Sequence, residues 1–392
     1  LKDQVVKDQT KIQAKVIAQE VSSDENDTNN SKDGDRKIPT IDINNTLVEV
    51  GKEFSLPLGL SDGAGVGVDY TNIKVSSPNG ETGLTYDATT KSIKGTINAA
   101  TKKEITVRVL DKNGNKAEKT ISIAAVKAKP IYAIKDGTIK NVDTPSNFVE
   151  MPAGLTASWK DDSRPTTAEA GNTTKTVTVS ANGYAAINVD IPVTIYPKVT
   201  YRKVGGNEVT EYHEIVGQPL TSAVTGTGGR TTTVKPDFYV EFEGGKKPDG
   251  TTITFKDGNP ASPSTTAGET TKTIVVTYPN EAGTIEKNVT FKTYGNEAKY
   301  EDGKDSVETI VGSAFAKTSA SDYVKLSDPK LPNPPRTAIA WGDGYSGSAN
   351  PVSKVQTTIG MREENVNVYY TSAIAGLRGD SSFRYTHQDI KV

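Results

Sequence analysis

The feature that most constrains this chain is an internal repeat. Residues 152–179 read PAGLTASWKDDSRPTTAEAGNTTKTVTV, and residues 248–276 read PDGTTITFKDGNPASPSTTAGETTKTIVV. Pro152 and Pro248 stand 96 positions apart, Gly171 and Gly268 stand 97 apart, and Tyr196 and Tyr294 stand 98 apart. An offset that drifts by one or two is what small loop insertions leave between strand frames of fixed length. A fainter third copy follows: Trp341-Gly-Asp-Gly matches Phe255-Lys-Asp-Gly and Trp159-Lys-Asp-Asp, and Gly360 matches Gly268. Upstream, Ile215-Val216-Gly217 matches Ile310-Val311-Gly312. Self-similarity at a fixed period is the mark of a modular array.

The modules read as β-structure. Ile105, Val107 and Val109 alternate, Asp111-Lys-Asn-Gly-Asn115 makes a turn, and Ile121 and Ile123 alternate beyond it, which is a hairpin pattern. A hydrophobic fraction of 34% is low for one large core; it suits thin sandwiches whose strands bury alternate residues. The fold class expected is therefore all-β, as tandem Ig-like β-sandwich modules behind a short N-terminal helical or disordered segment. In residues 1–36, Val5, Ile12, Val16 and Val21 roughly share one helical face, and 22–36 is a charged, apolar-free linker. Residues 1–23 are either a helix on a neighbouring domain or a frayed leader. The modules are drawn at 37–127, 128–199, 200–295 and 296–392. Each is small for folding without disulfides, so stacked neighbours would support one another. Prolines at Lys129-Pro130 and Tyr196-Pro197 would stiffen the junctions into a semi-rigid, monomeric rod.

Much chemistry is excluded. The chain has no cysteine, hence no disulfide scaffold, thiol nucleophile or thiolate metal site. A net charge of −2 gives no basic field for nucleic acid or an acidic membrane. Only His213 and His387 are present, without the Ser and Asp partners of a hydrolase triad, so no catalytic residue is expected. No signal peptide, membrane-length apolar run or sorting signal is evident, and the chain reads as a segment of something longer.

Two clusters invite a ligand. Asp111, Asn113 and Asn115 alternate through a tight turn, and Asp62 and Asp69 flank a glycine-rich loop. Such oxygens can face one calcium ion, or can simply close turns by hydrogen bonding to the backbone. No cofactor is required; calcium is the candidate. The last module carries Arg336, Trp341, Tyr345, Arg378, Arg384 and Tyr385. Arginine beside aromatics suits acidic sugars or protein epitopes, because guanidinium pairs with carboxylate while rings stack on apolar faces. The alignment of Trp341 with Trp159 and Phe255 argues instead for a core position. Arg378-Gly379-Asp380 is the tripeptide read by integrins.

The first module contains Gly83-Leu-Thr-Tyr-Asp87, Ile93-Lys-Gly-Thr96 and Val109-Leu-Asp-Lys-Asn-Gly-Asn115, and resembles the cadherin-like modules of bacterial surface proteins. The repeated units, above all Thr265-Thr-Ala-Gly-Glu-Thr-Thr-Lys-Thr-Ile-Val-Val-Thr-Tyr-Pro279, resemble Rib-type Ig-like modules of Gram-positive adhesins. A cadherin-like module followed by further Ig-like modules is similar to the ligand-binding regions of streptococcal-type serine-rich-repeat and fimbriae-associated adhesins. No serine-rich tract, wall anchor or Tyr-Thr-Arg-Tyr-type strand accompanies them. The resemblance implies a region of a cell-wall-anchored protein outside a Gram-positive bacterium, attaching to host or salivary glycans or glycoproteins. A passive stalk displaying another binding domain is the alternative.

Overall fold

The computed structural model describes residues 37–77, 83–215, 222–224, 231–233, 235–258, 267–294, 298–326, 338–342, 355–371 and 383–392. Residues 1–36, with their helical or disordered expectation, lie outside that set. The protein is all-β: among the described residues the regular elements are strands and short 3-10 turns. Contacts gather into two compact units, Leu1–Ile195 and Tyr196–Val392.

In the first unit the strands are β1 (Thr40–Ile41), β2 (Thr46–Glu49), β3 (Phe54–Pro57), β4 (Leu60–Ser61), β5 (Lys74–Ser76), β6 (Leu84–Asp87), β7 (Ser92–Gly95), β8 (Lys102–Leu110) and β9 (Lys116–Ala128). They continue as β10 (Ile131–Ile134), β11 (Val149–Glu150), β12 (Thr156–Trp159), β13 (Gly171–Ser180) and β14 (Ile187–Tyr196). One sheet joins β5, β8 and β9 antiparallel, with β2 running parallel to β9. It faces the sheet β3-β7-β6 across a core that includes Leu58, Ile93, Ile105, Val107 and Ile123. The alternation read in β8 is observed: Ile105, Val107 and Val109 are fully buried, while Thr106 and Arg108 are only partly covered.

Strand β9 is buried on both faces. Ile121, Ile123 and Ala125 enter the first core, whereas Ala124 and Val126 enter a second core with Leu47, Trp159, Val177 and Ile191. Side chains alternate between faces of a strand, so the unbroken apolar run Ile123-Ala-Ala-Val126 can be buried only if each face meets a different core. The end of β9 then pairs with β11, Ala128 opposite Val149. The boundary expected at 127/128 therefore falls inside a strand that both cores share.

The second unit holds β15 (Val199–Tyr201), β16 (Lys203–Val204), β17 (Asn207–Glu208), β18 (Glu211–Ile215), β19 (Ser222–Val224), β20 (Thr231–Thr233), β21 (Val240–Phe242), β22 (Thr252–Phe255), β23 (Gly268–Thr277) and β24 (Thr284–Tyr294). Beyond them come β25 (Ala298–Tyr300), β26 (Val324–Leu326), β27 (Ala338–Trp341), β28 (Glu363–Thr371) and β29 (Phe383–Lys391). The repeat appears as a repeated sheet order: β10-β14-β13-β12, then β18-β24-β23-β22, then β29-β28-β27. Gly171 and Gly268 open the long strand of their sheets, and Gly360 lies three residues before β28. Their φ values are +140°, +148° and +157°, where side chains are strained although each site has open space. Backbone conformation explains the shared glycine.

Trp159, Phe255 and Trp341 each end a strand and are each 5% exposed. Each meets an aromatic at or just after a 3-10 turn: Phe148 at 5.7 Å, Tyr239 at 6.0 Å and Tyr323 at 5.5 Å between ring centroids. This partner extends the repeat to Pro145-Ser-Asn-Phe-Val-Glu150, Pro236-Asp-Phe-Tyr-Val-Glu241 and Ala320-Ser-Asp-Tyr-Val-Lys325. Around Tyr239 the packing is denser: Tyr212 meets it edge-on at 4.8 Å, and the Arg202 guanidinium lies 3.9 Å over Phe238. Burial pushes the hydroxyls of Tyr212 and Tyr278 up to about 12.

Two outcomes follow from this packing. Ile123→Ala removes a side chain from the first core and should cost roughly 2–5 kcal/mol. In a Trp341→Phe background, denaturant unfolding followed by Trp159 fluorescence should shift with it, because both cores share β9; an unshifted Trp159 transition would show them independent. The second concerns alkaline pH. Tyr212 and Tyr278 hold their protons to about 12 in the fold, against about 10 unfolded. Their stabilisation is thus complete below pH 10 and lost between about pH 10 and 12, and absorbance titration should show both as late tyrosines, identified by Phe substitution.

Candidate functional site

The structure brings the two acidic segments of the first module together. Val68 and Asp111 form a β-bridge, Asp69 N–H donates to Leu110 O at 2.9 Å, and Lys112 N–H donates to Gly67 O at 3.0 Å. The side chains, however, are engaged in their own loops. Asp111, 2% exposed, accepts the N–H groups of Asn113 and Asn115 on Oδ1, each at 2.8 Å, and the Asn115 side-chain amide on Oδ2 at 2.7 Å. Asp62 Oδ2 accepts Gly67 N–H at 2.6 Å. Asp69 Oδ1 accepts the Thr71 hydroxyl and N–H, which hold its carboxyl below the usual range. Hydrogen-bond donors thus face Asp111 Oδ1 and Oδ2, Asp62 Oδ2 and Asp69 Oδ1, oxygens that a cation would need. Among the described residues no group of three or more Asp, Glu or His side chains is placed to hold a metal ion. The donor set fits turn closure better than a hard cation.

The last module is built differently from the expectation. Trp341 is a core residue: it packs with Phe315, Val324, Val366 and Ile390, and its indole N–H donates to Thr318 O at 3.1 Å. It offers no platform to a ligand, which corrects its place among the binding residues; the repeat alignment had the stronger physical basis. Arg384 and Tyr385 lie on β29, opposite Tyr370 and Tyr369 of β28. Arg336, Tyr345 and Arg378, with the Arg378-Gly379-Asp380 tripeptide, lie outside the described residues.

An unforeseen groove of about 720 Å³ lies in this module, between residues 305–311 and 356–362, with Phe315 and Val392 in its lining. Its flanks leave large apolar side chains in solvent: Ile310 is 78% exposed, Ile359 94% and Met361 79%. Two of its charged groups are paired. Arg362 Nε donates to Glu364 Oε1 at 2.8 Å, Arg362 Nη2 donates to Gln356 Oε1 at 3.0 Å, and Lys391 Nζ lies 3.7 Å from Asp305. Such a lining suits apolar or main-chain contacts. Its sequence signal was Ile359-Gly-Met361, apolar residues alternating about a glycine in an otherwise polar stretch.

No family model matches the chain. Over 290 residues, 73% of its length, it is 26% identical to the extracellular matrix-binding protein EbhB of Staphylococcus aureus strain Newman, of which the match covers 4%. It is 27% identical over 185 residues, 46% of its length, to the extracellular matrix-binding protein ebh of strain MRSA252, of which it covers 2%. The chain thus spans only a few per cent of the curated relatives' length. Among solved structures it is similar to the protocadherin GammaB4 extracellular domain, with 10% identity, 90% of this chain and 66% of that one covered, and a TM-score of 0.19. Sidekick-1 immunoglobulin domains 1–4 match with 10% identity, coverage of 65% and 76%, and a TM-score of 0.18. Its all-β architecture rests on its own strand pairings.

Proposed function

We propose that this chain is a binding region of an adhesin-type bacterial surface protein that attaches to host matrix components, glycans or glycoproteins. One observation carries the reading: 73% of the chain matches part of a protein named for binding extracellular matrix. The staphylococcal relatives support the outside of a Gram-positive cell as the location; cell-wall anchoring and the serine-rich-repeat or fimbriae-associated class are the narrower form of the proposal. The role is attachment, without catalysis. Arg336, Tyr345, Arg378, Arg384 and Tyr385 are the proposed contact residues, in the module whose sequence has drifted furthest from its siblings. Shallow sites of this kind bind weakly one at a time, and many copies on a cell raise avidity by about 10²–10⁴ through effective concentration.

A spacer is the second reading. The strand shared by two cores favours it, because fused cores hold a fixed length.

Three measurements test these readings. The chain should bind at least one host matrix glycoprotein or arrayed glycan, and a double Arg378→Ala, Arg384→Ala variant should lose about tenfold or more, the effect of roughly 1.4 kcal/mol. Absence of signal on every matrix protein and glycan would sink the adhesin reading. Deleting residues 200–295 should leave ligand choice unchanged if that module only spaces. For the acidic cluster, Asp111→Ala should cost about 1–3 kcal/mol, as its turn loses a buried acceptor. Adding 1 mM calcium should leave the melting temperature unmoved, whereas a rise beyond about 4 °C would make Asp62, Asp69, Asp111, Asn113 and Asn115 a calcium site.

A further inference from the structure

The groove of the last module has counterparts in its siblings, and there it is filled. In the second module the strand glycine, Gly171, pairs with Ile195 of β14; in the third, Gly268 pairs with Thr293 of β24. Both partners point inward, Ile195 being 4% and Thr293 2% exposed. The last module follows the same ladder: Glu363 pairs with Lys391, and Arg362 and Val392 exchange backbone hydrogen bonds at 2.9 and 2.7 Å. Continued antiparallel by two positions, that register sets the partner of Gly360 two places beyond Val392.

The other wall gives the same answer independently. In the third module β18 runs parallel to β24, from Glu211 opposite Thr290 to Ile215 opposite Tyr294. Among the described residues of the last module the parallel pairing is a single bridge, Ser306 opposite Lys391, flanked by Lys391 N–H to Asp305 O and Val307 N–H to Lys391 O, each at 2.9 Å. Continued in parallel, Ile310, the repeat counterpart of Ile215, falls opposite the third place beyond Val392. That place is also the counterpart of Tyr294 by the glycine ladder. Two pairings on opposite sides thus mark one path. It runs along the groove, between Ile310 and Val311 on one wall and Ile359 and Met361 on the other.

We propose that this groove is a strand seat. It takes extended polypeptide running on from Val392 in line with β29, parallel to residues 307–311 and antiparallel to residues 358–360. Neighbouring strands lie about 4.8 Å apart, so a seat between two walls satisfies main-chain groups on both sides, and an inward side chain two places on would rest over Phe315. The exposed Ile310, Ile359 and Met361 are then flanks of an interior strand, and the groove is no glycan pocket. Host attachment through the arginine and tyrosine residues named above is a separate matter, and either can fail alone.

The test compares three proteins: the 392-residue chain, the chain extended after Val392 by Thr-Ile-Tyr as in Thr194–Tyr196, and a control extended by Gly-Pro-Gly, which lacks a donor and resists pairing. Met361 oxidation by dilute peroxide, read by peptide mass with Met151 as internal reference, reports cover of the groove. Thr-Ile-Tyr should slow Met361 oxidation at least about fivefold, scaled as roughly 1 kcal/mol of added protection, and raise the melting temperature above that of the control. Equal oxidation and melting in both extended chains would overturn the proposal. So would protection of Met361 in the unextended chain that grows with protein concentration, which assigns the groove to a second copy, or protection by a host glycan, which assigns it to a sugar.

Discussion

The first unit depends on a strand with two dry faces. A strand between a core and water buries alternate side chains, and β8 and β13 follow that pattern, alternating buried and partly covered positions. At Ile123-Ala-Ala-Val126 the alternation ceases, and the chain must find a second hydrophobic partner for the extra side or leave it wet. Leu47 beside Ala124 on the parallel neighbour β2 makes the same choice, since Val48 turns to the first core. Two thin sandwiches thereby gain the depth of core that neither has alone, which is how modules without cysteine reach stability at this size.

Much of this was legible in the residues. Alternation gave the hairpin of β8 and β9, and the paired repeat strings matched β12 to β14 with β22 to β24. The shared glycine was legible as a position, while its cause, a φ near +140°, is visible only in three dimensions. What stayed hidden was the aromatic that closes each repeat: Phe148, Tyr239 and Tyr323 lie far upstream of the tryptophan or phenylalanine they touch, in strings that resemble one another only loosely. Order of strands in a sheet is a long-range property, and spacing along the chain does not contain it.

The candidate sites teach the same distinction. That Asp62, Asp69, Asp111, Asn113 and Asn115 offer oxygens in or beside turns was legible in the sequence. What their oxygens face was not, because short acidic side chains next to glycine and asparagine can serve a cation or their own backbone equally well. Trp341 misled for a different reason: arginine and tyrosine nearby in sequence suggested recognition, but a ring at the end of an inner strand is claimed by packing first. The groove has walls, residues 305–311 and 356–362, that lie far apart in the chain and are brought together by strand register and by the backbone pairing of Gly312 and Ser313 with Gln356.

The parallel pairing of β2 with β9, and of β18 with β24, has a mechanical meaning. In both, an early strand of a module lies beside its last strand and points the same way. Tension applied along the backbone draws such neighbours in opposite directions along their length, so the bonds between them are loaded together in shear and cannot be peeled one at a time. Rupture under load is set by the barrier to unfolding more than by equilibrium stability. A module strung this way can be only modestly stable at rest and still hold while it is pulled.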